Sequence, residues 1–94
     1  MDPSRPIDVV SDSTGETAER VVRAALLQFP ARKTRVRLHQ RIRDAQTARE
    51  VIELAARDGG LLVFTIVSPE LREFIHQLCY EKKVEAVDVI GALL

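Results

Sequence analysis

Apolar positions along this chain follow two alternating rhythms, one short and continuous, the other spaced three and four residues apart. Ile7 to Val10 is a short apolar run that predicts a strand and ends at the turn-forming Ser11-Asp12-Ser13-Thr14-Gly15. Beyond it Ala18, Val21, Val22, Ala25, Leu26 and Phe29 recur at helical spacing, and Pro30 stops the helix. Ser13 and Glu16 have the spacing of a capping box at its start. Thr34, Val36 and Leu38 then alternate with Arg35, Arg37 and His39, which predicts a strand with one wet face.

A second helix begins at Asp44, carries Ala48, Val51, Ile52 and Ala55 on one side, and ends at Gly59-Gly60. Leu61 to Val67 is apolar without alternation, the pattern of a strand covered on both faces. Ser68-Pro69-Glu70 is a strong helix start: a capping hydroxyl, a proline at the first position and an acid at the positive dipole end. Leu71, Phe74, Ile75, Leu78 and Cys79 form a third apolar stripe, and Val84 to Ile90 supplies a fourth strand. Strand–helix units repeated in this way predict a three-layer, doubly wound α/β fold. Its four-stranded, mostly parallel sheet has helices on both faces and strand order 2-1-3-4. Ligands of such sheets sit beyond the carboxyl ends of the strands, where the order reverses, so Ser11–Thr17 and Thr65–Pro69 should meet there.

Composition narrows the classes. Ninety-four residues are read as a single α/β domain spanning 1–94. Fourteen basic and fourteen acidic side chains cancel, leaving no global field to hold nucleic acid or an anionic membrane. One cysteine, Cys79, makes no internal disulfide and fits a reducing cytoplasm. No run of apolar residues is long enough to span a membrane, and the opening residues lack the pattern of a signal peptide.

The loop Ser11-Asp12-Ser13-Thr14-Gly15-Glu16-Thr17 carries the chemistry. It leaves a strand and opens a helix, so amides and a positive dipole end converge on one spot. Gly15 permits close backbone approach, and Ser13, Thr14 and Thr17 add hydroxyl donors suited to a phosphate. A purely structural reading stays open, in which the hydroxyls cap the helix and shape the turn. Asp12 repels a bare anion and fits better as a magnesium ligand, a base, an arginine partner or an Asx-turn residue.

Ser13-Thr14-Gly15-Glu16-Thr17 resembles the phosphate loop of flavodoxins, which implies flavin mononucleotide as an alternative ligand. Asp12 stands where that loop carries a hydroxyl, and only Tyr80 and no Trp is present to sandwich a flavin ring. A second resemblance covers most of the chain. Val10-Ser11-Asp12-Ser13-Thr14-Gly15-Glu16-Thr17-Ala18, then Gln28-Phe29-Pro30, then Val63 to Arg72 resemble the amino-terminal part of the pyruvate, phosphate dikinase and phosphoenolpyruvate synthase regulatory proteins. The resemblance implies a bifunctional Ser/Thr kinase and phosphorylase. It uses ADP to phosphorylate a threonine of the dikinase or synthase, and reverses this with phosphate, forming pyrophosphate. It also implies a longer parent whose nucleotide P-loop lies in its carboxyl-terminal part, with ADP or ATP, phosphate and magnesium as its ligands. No G-x-x-x-x-G-K-[ST] occurs in this sequence, so the chain by itself is expected to be inactive as a kinase, offering an anion site or a partner surface.

Arg32, Lys33, Arg35, Arg37, Arg41 and Arg43 form a basic stretch that serves either as a solvated edge strand or as a partner surface. Arg41 and Arg43 are secondary anion-binding candidates, as are Thr65 and Ser68 at the end of the third strand. His39 and His76 have no second ligand at metal spacing, so no metal site is expected. An uncovered edge of the fourth strand, with the apolar tail from Ile90 to Leu94, leads to an expectation of homodimers or concentration-dependent association.

Overall fold

Seven elements alternate along the chain in the computed structural model, which describes residues 5–28 and 34–91. They are β1 (Ile7–Ser11), α1 (Glu16–Leu26), β2 (Val36–His39), α2 (Ala45–Asp58), β3 (Leu61–Thr65), α3 (Pro69–Lys82) and β4 (Ala86–Asp88). The strands form one sheet in the order β2-β1-β3-β4, and every pairing is parallel. Ile7 stands opposite Val36 on one side and Leu61 on the other, and Ser11 ends the ladder opposite Thr65. All four carboxyl ends therefore point the same way, and the reversal of strand order falls between β1 and β3.

Local chemistry sets the helix boundaries. The Asp44 carboxylate accepts from the Thr47 amide at 2.7 Å and opens α2, a bond that holds the carboxyl below its ordinary range. Gly59, at φ 67°, closes that helix in the left-handed conformation. Ser68 Oγ accepts from the Leu71 amide at 3.3 Å, with Pro69 at the first helical position of α3. Helix α1 differs. Its N-cap is Gly15 at φ 78°, which has no side chain to accept from the first-turn amides. The capping box expected from Ser13 and Glu16 does not form. Ser13 lies outside the helix and donates its own amide to Ser11 Oγ at 3.0 Å.

Two apolar layers flank the sheet. Val10, Leu62, Phe64 and Ile66 pack with Ala48, Val51, Ile52 and Ala55 of α2 and Leu71, Ile75, Leu78 and Cys79 of α3. Val9 and Val63 meet Ala18 and Val22 of α1 on the opposite face. The apolar stripe of α1 is narrower than its spacing suggests: Val21 and Ala25 are exposed, because α1 is the one helix on that face among the described residues and buries a single seam. Phe29, Pro30, Arg32, Lys33 and the tail residues 92–94 lie outside the described residues. Strands β3 and β4 are shorter than their apolar runs. Ile66 leaves the ladder yet stays fully buried, while Val67 turns outward.

The wet face expected for β2 is the main correction. Arg37 and His39 do not point into solvent. They reach over the sheet to Asp8, which lies inside the run read as apolar and is fully buried. Arg37 donates Nε and Nη2 to the two carboxylate oxygens at 2.8 Å each, and His39 Nε2 bonds Oδ1 at 2.7 Å. Arg37 Nη1 also donates to Asp58 at the end of α2, at 2.6 Å. Burial alone would raise the Asp8 pKa, but His39 and Arg37 outweigh it and hold the carboxyl below its ordinary value. No helix among the described residues is long and apolar enough to cross a membrane.

Candidate functional site

Three loops gather beyond the carboxyl ends of β1, β2 and β3. The first is Ser11–Thr17, the second runs from Gln40 to Arg43, and the third holds Ile66, Val67 and Ser68. The first and third meet as expected. Asp12 Oδ2 accepts from the Val67 amide at 2.8 Å across 55 residues of sequence. This bond gives Asp12 a structural role at the junction. Its carboxylate holds a loop together, and Arg43 contacts it only through the backbone, donating Nε to the Asp12 carbonyl at 3.1 Å.

The second loop arrives through its main chain. The Arg41 amide donates to the Ser13 carbonyl and the Ile42 amide to the Ser11 carbonyl, each at 2.9 Å. Ile42 is buried in the larger apolar layer, whereas Arg41 and Arg43 are exposed. Arg41 holds φ 55°, a left-handed conformation that costs a non-glycine residue about 1 kcal/mol. Its neighbours on both sides enforce that turn. Arg41 and Arg43 are thus brought beside the Ser11–Thr17 loop.

Within the first loop the hydroxyls divide their work. Ser11 Oγ takes the Ser13 amide, and Thr14 Oγ1 takes the Glu16 amide at 3.4 Å, so both shape the turn. Ser13 and Thr17 are exposed at its surface. The first backbone bond of α1 runs from the Glu19 amide to the Gly15 carbonyl at 2.9 Å, which leaves the Thr17 and Ala18 amides without helical acceptors. Glu16 and Glu19 supply negative charge to the first turn, and Arg23 draws Glu19 aside at 3.1 Å. Gly15 is required twice over: by its positive φ, and because a Cβ there would stand 2.6 Å from Leu38 Cδ1. The backbone of the loop packs directly on β2.

The secondary candidates separate. Thr65 is half-buried at the end of β3, opposite Ser11 and at the site. Ser68 is committed elsewhere, capping α3 and donating Oγ to Glu70 Oε2 at 3.1 Å. Tyr80, the aromatic candidate for a flavin, is exposed and sits eleven residues along α3 from Pro69, roughly 17 Å down the helix from the loops. His39 belongs to the Asp8 cluster, and His76 bonds Asp88 at 2.9 Å. Among the described residues no group of three or more His, Cys, Asp or Glu is placed to hold a metal ion.

The Gln40–Arg43 loop as a third wall, and the buried Asp8 that pairs with Arg37 and His39, were missed in the sequence. A signal was present for both. An acid inside a strand buried on two faces needs a partner, and two basic residues at alternate positions of a neighbouring strand lie on one face to supply it.

Comparison with known proteins bears on the same stretch of chain. The family model described as kinase/pyrophosphorylase matches residues 7–94, from the first residue of β1 onward. A relative from Sorangium cellulosum (strain So ce56) is 57% identical over 94 residues, covering 100% of this chain and 34% of its own length. One from Bacillus subtilis (strain 168) is 48% identical over 93 residues, covering 97% of this chain and 34% of its own. Both relatives are named pyruvate, phosphate dikinase regulatory protein. The chain spans about a third of the length of these curated relatives. With the match running through the sheet, all three helices and the three loops at their junction, the chain belongs to the kinase/pyrophosphorylase family.

Proposed function

We propose that this chain is the amino-terminal α/β domain of a regulatory protein acting on pyruvate, phosphate dikinase or phosphoenolpyruvate synthase, and that it supplies an anion site to that protein. The parent transfers the β-phosphoryl group of ADP to a threonine hydroxyl of its target, releasing AMP and a proton. In reverse, inorganic phosphate attacks the phosphothreonine, and pyrophosphate leaves with the hydroxyl restored. The resemblance implies that the nucleotide P-loop lies in the remainder of the parent, and no Walker-type glycine-lysine pattern occurs in these 94 residues. Binding and orientation are what this domain's own residues offer.

The observation that carries this reading is the convergence of three loops on the start of α1. Thr17 presents an amide without a helical acceptor, Ser13 and Thr17 present exposed hydroxyls, and Arg41 and Arg43 stand alongside with two positive charges. A phosphate there would accept from the Thr17 amide and from the arginines, contacts that offset its repulsion by Glu16. Arginine suits the role because its planar fork matches phosphate oxygens.

Amide shifts on the isotope-labelled chain test it, with phosphate, magnesium–ADP and flavin mononucleotide titrated separately. Saturable shifts at Gly15 to Thr17 and at Arg41 are expected with phosphate. Silence with phosphate and ADP would overturn the anion site, and saturation by flavin mononucleotide alone would favour the flavodoxin alternative. Incubating the purified chain with ADP, magnesium and a dikinase should leave the target unphosphorylated; phosphorylation would refute the division of labour between this domain and the rest of the parent.

A further inference from the structure

We infer that Asp8 is a positioning residue for the candidate anion site: through Arg37 and His39 it fixes edge strand β2, and so sets where Arg41 stands. The inference rests on the anion-site reading above. Asp8 is the second residue of β1 and Ser11 its last, so the carboxylate lies roughly 10 Å from the loops, beyond direct contact with an anion held there.

Besides the ladder to β1 and the partial packing of Val36 and Leu38, the Asp8 contacts are what hold strand β2. Among the described residues it lies at the sheet edge and pairs along one side only, and none of its four residues is fully buried. Val36 and Leu38 pack partly against the α1 layer, while Arg37 and His39 go to the other face, where the α2 end and Asp8 receive them. The charges admit one alignment. A slip of one residue would turn Arg37 and His39 toward α1 and leave a fully buried carboxylate without a partner. Gly60 makes room for the cluster, since a Cβ there would come within 2.9 Å of Asp8 Oδ2.

The chain from β2 to the site is very short. His39 is bonded to Asp8; two residues on, Arg41 is bent to φ 55° with its amide on the Ser13 carbonyl; and Ile42 is anchored independently in the core. The Gln40–Arg41 bend is therefore pinned at two ends, by charge before it and by apolar packing after it. Loss of Asp8 releases the first pin and keeps the second.

Two variants separate positioning from simple stabilisation. Asp8→Asn keeps the shape of the side chain and removes its charge. The combined Asp8→Leu, Arg37→Met, His39→Leu variant replaces the ions with apolar side chains of similar reach, a change that tends to preserve or raise stability. Amide hydrogen exchange and a phosphate titration are read on the wild type and on each folded variant. Expected in both variants is a loss of protection at Arg41 of roughly fivefold or more, with Ile42 unchanged, and a phosphate dissociation constant raised by a similar factor. Should Asp8→Asn fail to fold, the apolar variant decides. Wild-type Arg41 protection and wild-type phosphate affinity in a folded variant would overturn the inference while leaving the anion site standing. Absence of phosphate binding in the wild type would instead bring down the anion site, and the positioning role with it.

Discussion

Gly15→Ala is the most direct probe of how the Ser11–Thr17 loop sits on the sheet, and Gly59→Ala is its built-in control. Both glycines have left-handed backbone, at φ 78° and 67°. A methyl at Gly59 meets nothing within 4 Å, whereas one at Gly15 meets Leu38 Cδ1 at 2.6 Å and Ser11 Cβ at 3.4 Å. At Gly59 only backbone strain acts, about 1 kcal/mol after the stiffer unfolded chain is credited. At Gly15 the same strain is joined by displacement of Leu38 from its half-buried place against β1, adding ~1–2 kcal/mol as overpacking. The expected costs are thus about 1 kcal/mol for Gly59→Ala and about 2 to 3 kcal/mol for Gly15→Ala. With a urea slope near 1 kcal/mol per molar for so small a chain, the two midpoints should fall by about 1 M and about 2 to 3 M. Adding Leu38→Ala should remove the excess, so that Gly15→Ala in that background costs no more than Gly59→Ala. Equal midpoint shifts for the two glycine variants in the wild-type background would refute the claim that loop backbone packs on β2.

Three further outcomes are expected. Ser68→Ala should lower stability by about 1 kcal/mol, measured by urea unfolding, because it removes the acceptor for the Leu71 amide at the start of α3. Acid should destabilise the chain in a defined direction. Asp8, Asp58 and Asp88 all have pKa values lowered from the ordinary 3.8, so the stability they confer is present above that value and lost as pH falls through their folded-state values. Unfolding curves from about pH 5 to about pH 2 should show this loss, and Asp8→Asn should flatten it; an unchanged slope would deny Asp8 its share. Cys79 is buried, and burial pushes its thiol to about 11, so a thiol reagent should label it in native protein only as fast as the fold opens. Rapid stoichiometric labelling under native conditions would contradict that burial.

Much of the fold was legible because its signals are local. Asp44, Gly59, Ser68 and Pro69 each act within one helical turn, and the structure places each where its chemistry demands. The strand order followed from alternation and crossover handedness, which leave few arrangements for so short a chain. What escaped depends on neighbours distant in sequence. Ser13 has the spacing of a cap, yet its carbonyl takes the Arg41 amide of the loop after β2, and the helix starts at Glu16 instead. Val21 and Ala25 share the periodicity of buried residues, but no second helix on that face covers them among the described residues. Arg37 and His39 look like solvent-facing charges until Asp8 is placed beside them, 29 and 31 residues earlier in the chain. The site candidates in the first loop were visible as a strand-to-helix turn rich in hydroxyls; Arg41 earned its position only from the backbone around it.

The bond from Asp12 to the Val67 amide has a consequence for how any guest would be received. It begins one residue past the last rung between β1 and β3, so a side chain continues the sheet's stitching where the main chain stops. The two loops that diverge above it share a common floor. Splaying them apart would mean breaking a carboxylate–amide bond, so their spacing is set before anything binds. Loops spaced in advance spend little ordering entropy on capture and leave selection to fit and charge rather than to closure around the guest.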